Sequence, residues 1–82
     1  MTKYYLIYWS MYQNNTSTKV EAYEVFTTKA KRDEYMKNNH IKNVVSTFDL
    51  ITLNATDLNE LLNRWSNKKD LDFIKYYPVQ FH

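Results

Sequence analysis

The chain of 82 residues contains no glycine and no cysteine, a single proline and only two histidines. Without glycine, the phosphate-cradling loops that need positive φ and a close backbone approach are excluded. Without cysteine there is no disulfide, no thiolate nucleophile and no thiolate zinc site. Charge of one sign is scarce too: 11 Lys and Arg against 9 Asp and Glu leave +2, with a pI near 8.8. Nucleic-acid binding usually shows a clustered basic face and a higher pI. The apolar opening run, Tyr4–Trp9, is far shorter than the ~20 residues of a membrane helix. It also lacks the basic and small-residue flanks of a signal peptide. These absences predict a cytoplasmic protein with no membrane partner.

What is present is tyrosine, 8 residues of it, within an apolar fraction of 44%. A chain this short forms one domain, 1–82, and hides roughly 64% of its extended-chain surface on folding. Residues 3–12 are β-formers throughout, and 17–26 alternate apolar with polar. Asn14-Asn15 between them suits a two-residue hairpin turn, since Asn tolerates left-handed φ. That turn pairs Met11 with Thr18, Trp9 with Val20, Ile7 with Ala22 and Tyr5 with Glu24 on one face. The other face then carries Tyr12, Ser10, Tyr8, Leu6 and Tyr4 beside Ser17, Lys19, Glu21, Tyr23 and Val25.

Phe26-Thr27-Thr28 ends the strand and offers a hydroxyl cap for a helix to about Asn39, with a thin stripe of Arg32, Tyr35 and Met36. Residues 41–53 read as a third strand, with Val44, Ser46, Phe48 and Leu50 toward the core. A second helix is signalled best. Asn54 caps it, Leu53 can staple Leu58, and Leu58, Leu61, Leu62 and Trp65 form one apolar stripe. Residues 71–77 make a last strand, ended or confined to an edge by Pro78. The order strand–strand–helix–strand–helix–strand predicts an α+β two-layer sandwich, a four-stranded mixed sheet with both helices on one face. Ile7, Trp9, Phe48, Leu58, Leu61, Leu62 and Trp65 are assigned to its core.

Such a sandwich leaves one sheet face open, and here that face would present Tyr4, Leu6, Tyr8, Tyr12 and Tyr23, with Val25, Val45 and Ile51. Solvent faces ordinarily carry Lys, Glu, Thr and Ser. Tyrosine supplies contact area at low entropic cost and keeps a hydroxyl for hydrogen bonding. The pattern predicts a protein-binding surface anchored on Tyr8 and Tyr23. Two alternatives use the same face: a symmetric homodimer, or base stacking by single-stranded nucleic acid, which Glu21 and Glu24 disfavour.

Catalysis needs a nucleophile, a base and a charge stabiliser converging in a pocket. His40 follows a helix end, His82 is expected to be mobile, and each acidic pair adjoins Lys or Arg. No catalytic residue, cofactor or metal ligand is assigned, and the chain is read as a non-enzyme. Its profile resembles the small proteins that phages and mobile elements encode to block host machinery, among them inhibitors of CRISPR nucleases. That resemblance implies an inhibitor acting in the host cytoplasm by occluding a protein surface, not by mimicking DNA through negative charge.

Overall fold

Strand β1 (Lys3–Tyr12) is the spine of the sheet, because each of its faces is apolar enough to need covering. The computed structural model describes residues 2–13 and 16–82. β1 is followed by β2 (Lys19–Phe26), α1 (Lys29–Asn38), a helical turn α2 (Ile41–Val44), β3 (Thr47–Asn54), α3 (Ala55–Ser66), β4 (Ile74–Tyr76) and β5 (Gln80–Phe81). The sheet runs β3-β1-β2-β4, and β5 pairs further along the same edge of β2. The N-terminal hairpin, the mixed sheet and the α+β class are those expected. Among the described residues the strands number five, because the chain rejoins β2 after Pro78.

In the hairpin Tyr8 stands opposite Tyr23 and Met11 opposite Val20, two residues from the expected register. Gln13 N–H reaches Thr18 O at 2.9 Å, so the connection is longer than a two-residue turn. The proposed turn residues Asn14 and Asn15 lie outside the described residues. A shift of two leaves every side chain on its expected face, whereas a shift of one would have reversed them all.

The helices correct the expected layering. β3 lies beside β1 and antiparallel to it, not beside β2. The crossover from β2 to β3 therefore passes one way along the sheet, and the crossover from β3 to β4 returns the other way. Two crossovers of the same hand running in opposite directions must place their helices on opposite faces. They do so here. Ile7 and Phe26 pack with Met36 of α1 and Ile41 of α2, whereas Leu6 and Val25 pack with Leu58 of α3. Leu6 and Ile7, adjacent in sequence and pointing to opposite faces, are both 0% exposed. The result is three layers around a shared sheet rather than two.

Local signals explain the elements. Thr28 Oγ1 accepts from Lys31 N–H at 3.2 Å, and Asn54 Oδ1 accepts from Asp57 N–H at 2.8 Å, so both expected caps are present. α1 buries Arg32 and Met36, and α3 buries Leu58 and Trp65, as the stripes require. Residues 41–44 form a helical turn instead of the start of a strand. His40 takes a left-handed φ of 52°, the chain reverses, and Ile41 drops into the core beneath α1. The third strand consequently starts at Thr47, with Phe48, Ile51 and Leu53 packed inward, while Val44, Ser46 and Leu50 are exposed.

Candidate functional site

The tyrosine-bearing face is half covered. α3 lies over its Tyr4, Leu6 and Val25 end, and Ile51 and Leu53 of β3 join the same cluster. Leu6 is therefore a core residue and cannot contact a partner. Tyr4 packs partly buried beside Leu53, its cross-strand neighbour. Val45, expected on this face, instead packs against the α1 side. Past the last turn of α3 the sheet reopens, and there Tyr8 and Tyr23 stand at the mouth of a cleft.

This cleft, about 400 Å³, is lined by Tyr8, Glu21, Tyr23, Arg64, Trp65 and Lys68. Tyr8 and Tyr23 are direct cross-strand partners with ring centroids 5.1 Å apart. Tyr23 meets Trp65 edge-on at 4.8 Å, and Trp65 meets Tyr76 edge-on at 5.2 Å. These four rings form a continuous aromatic chain from the centre of the sheet to its β4 edge. Such edge-to-face pairs each add about 0.5–1.5 kcal/mol beyond area burial. Trp65 is fixed further by its indole N–H, which donates to Tyr77 O at 2.8 Å.

The polar groups are equally ordered. Tyr8 O–H donates to a Glu21 carboxylate oxygen. Burial, and then this bond to Glu21, push the Tyr8 phenol well above the ordinary tyrosine range, so it stays a protonated donor. Burial also raises Tyr23, with Glu21 adding to the effect and Arg64 opposing it. Lys68 Nζ lies 5.6 Å from the Trp65 ring centroid and 4.9 Å from that of Tyr76, cation–π distances in both cases. Among the described residues, neither Arg64 nor Lys68 has a carboxylate within ion-pairing distance. A fixed donor, an oriented carboxylate, aromatic rings and two cations thus line one cleft.

Of the five expected contact residues, the cleft brings together Tyr8 and Tyr23. Tyr12, 56% exposed, lies at the far end of β1 opposite Lys19. Arg64, Lys68 and Tyr76 were not singled out by sequence, and Trp65 was assigned only to the core. Trp65 does both things: its body is buried and its edge lines the cleft. The available signal was the placing of Arg64 and Lys68 around an aromatic at a helix end.

His82, expected to be mobile, packs against β2. Its Nε2 lies 2.8 Å from Glu24 Oε1, and its ring stacks on Phe26 at 4.3 Å with an interplanar angle of 5°. Glu24 is only 4% exposed and also accepts from the Trp9 indole N–H at 3.2 Å. A carboxylate so buried must be hydrogen-bonded, and the C-terminal segment supplies one of its partners.

Among the described residues no cluster of three or more His, Asp or Glu is placed to hold a metal ion. No helix of the described residues is long and apolar enough to cross a membrane. No family model, no curated protein and no solved structure matches this chain.

Proposed function

We propose that this chain is a non-enzymatic protein-binding module whose contact surface is the open half of the tyrosine face. The observation that carries the reading is the aromatic cleft of Tyr8, Tyr23 and Trp65, rimmed by Arg64 and Lys68. Tyrosine, tryptophan and arginine in a partly desolvated pocket are the residue types that dominate binding energy at protein interfaces. The unpaired cations favour a partner that brings carboxylates to the rim. Glu21 and Asp49, on the same side of the sheet, repel a phosphate backbone and make nucleic acid the weaker reading.

The partner class to try first comes from composition alone: host defence proteins such as CRISPR nucleases, blocked by occlusion in the cytoplasm. The test is capture from a nuclease-treated bacterial lysate, with wild type beside Lys68→Glu and Tyr8→Phe. One stoichiometric protein, lost with Lys68→Glu and weakened with Tyr8→Phe, is the expected result. Capture that depends on intact nucleic acid, or that ignores both substitutions, would overturn the reading. Both variants leave the packed core untouched, and circular dichroism establishes that they fold.

A further inference from the structure

The two edges of the sheet differ sharply. On one side β4 and β5 are short, and Pro78 interrupts them. On the other, β3 runs unbroken for eight residues with no proline, no lysine and only Asp49 charged. Among the described residues, 48–53 make no backbone hydrogen bond except those to β1. An edge of about 20 Å, at roughly 3.3 Å per residue, is thus left with free donors and acceptors. Proteins usually blunt such edges with charge, proline or a bulge, because a free edge is a template for another strand.

Beside this edge, on the α1 face, lies a second cleft of about 410 Å³. Its apolar lining is Met36 and Leu50, and Leu50 is 47% exposed despite its size. Its polar lining includes Lys37, Lys42 and His40. Asp33 also lines it, but the Asp33 carboxylate is held at 3.2 Å by Arg32. Neither lysine is ion-paired among the described residues. The cleft is therefore a small apolar floor under a basic rim, placed where the side chains of an added strand would fall.

We infer that β3 is a docking edge for an extended segment of a partner protein, which adds as a sixth strand. An apolar side chain of that segment sits over Leu50 and Met36, and an acidic one faces Lys37 and Lys42. Main-chain bonds to β3 give affinity, while the cleft reads alternate side chains. Charge argues against a second copy as the occupant. Antiparallel pairing of two β3 strands centred near Leu50 would bring both basic rims to the same two-fold axis. This surface is separate from the Tyr8 cleft, which opens on the opposite face, and the inference does not rest on the function proposed above.

The probe is a displayed library of random short peptides, selected against the folded full chain. Selected peptides should carry alternating β-branched residues with Asp or Glu, and should lose binding to Leu50→Lys and at least about tenfold in affinity to Lys42→Glu. Amide shifts on titrating such a peptide should fall on β3, α2 and the end of α1. Both substituted side chains are exposed, so the fold persists, and a thermal melt establishes it. Selection of no peptide, selection of basic peptides, or binding unaffected by Leu50→Lys would overturn the inference. So would β3 amides that are already protected in a concentration-dependent dimer.

Discussion

Glu24 is the residue whose surroundings are most constrained. It sits on a central strand, faces α1, and is tied to Trp9 and His82. Removing a partner from a buried acceptor costs about 1–3 kcal/mol, because the group stays desolvated without its bond. His82→Ala should therefore lower unfolding free energy by about that amount. Most of the loss should disappear when Glu24→Gln is added, a non-additivity that urea denaturation of the double cycle reads directly. Nothing in the sequence linked residues 24 and 82, because β5 reaches β2 only after the interruption at Pro78. The alternation of β2 places Glu24 on a core-facing position, and a glutamate there calls for a hydrogen-bonding partner.

Three tyrosines carry a second consequence. Tyr8, Tyr23 and Tyr35 are all raised above the ordinary tyrosine value, first by burial, then by Glu21 for the first two and by Glu24 for Tyr35. A folded-state value above the unfolded one means the native state holds more protons in the alkaline range. Stability is then fully present below about pH 10, the unfolded tyrosine value, and falls as pH rises through the folded values. Melting temperature should drop from about pH 10 upward. In parallel, tyrosinate absorbance should show part of the tyrosine complement ionising only as the fold is lost. A melting temperature flat to strong alkali would contradict these environments.

Among the elements, α3 was fully legible and α2 was not. The cap at Asn54, the Leu53–Leu58 contact and the four-residue stripe all follow from spacing that repeats over three turns. Asn54→Ala should cost about 1 kcal/mol, and Asn54→Asp should restore most of it, both measurable by thermal denaturation. α2 is one turn long, too short for any periodicity to register. Its formation depends on His40 in a left-handed conformation and on a site for Ile41 beneath α1, which is tertiary information. β3 then begins at Thr47, with Leu50 exposed beside the α1 side and Ile51 half-buried against the α3 side. β1 was legible as a strand but misjudged in its surroundings. Its near-continuous run from Tyr4 to Trp9 has the composition of a strand buried on both faces, whereas a one-sided strand alternates cleanly.

For the whole molecule, the covering of β1 on both faces decides the layering. Adjacency of sequential strands would put both crossovers on one side and leave a full tyrosine face open. The observed order β3-β1-β2-β4 sends the chain out and back across β1, and a constant crossover hand then covers both faces. The proposed contact surface shrinks as a result, from an entire sheet face to the part beyond Trp65. Tyr8 and Tyr23 stay in it, Leu6 passes to the core, and Arg64 and Lys68 join it from the helix that does the covering.

Whether α3 lies on the tyrosine face is decided by equilibrium urea denaturation of Leu6→Ala. With Leu6 enclosed between Val25 and Leu58, the substitution should lower the unfolding free energy by about 2–5 kcal/mol. A loss below about 0.5 kcal/mol, the range of an exposed substitution, would mean that the face is open and the three-layer account is wrong.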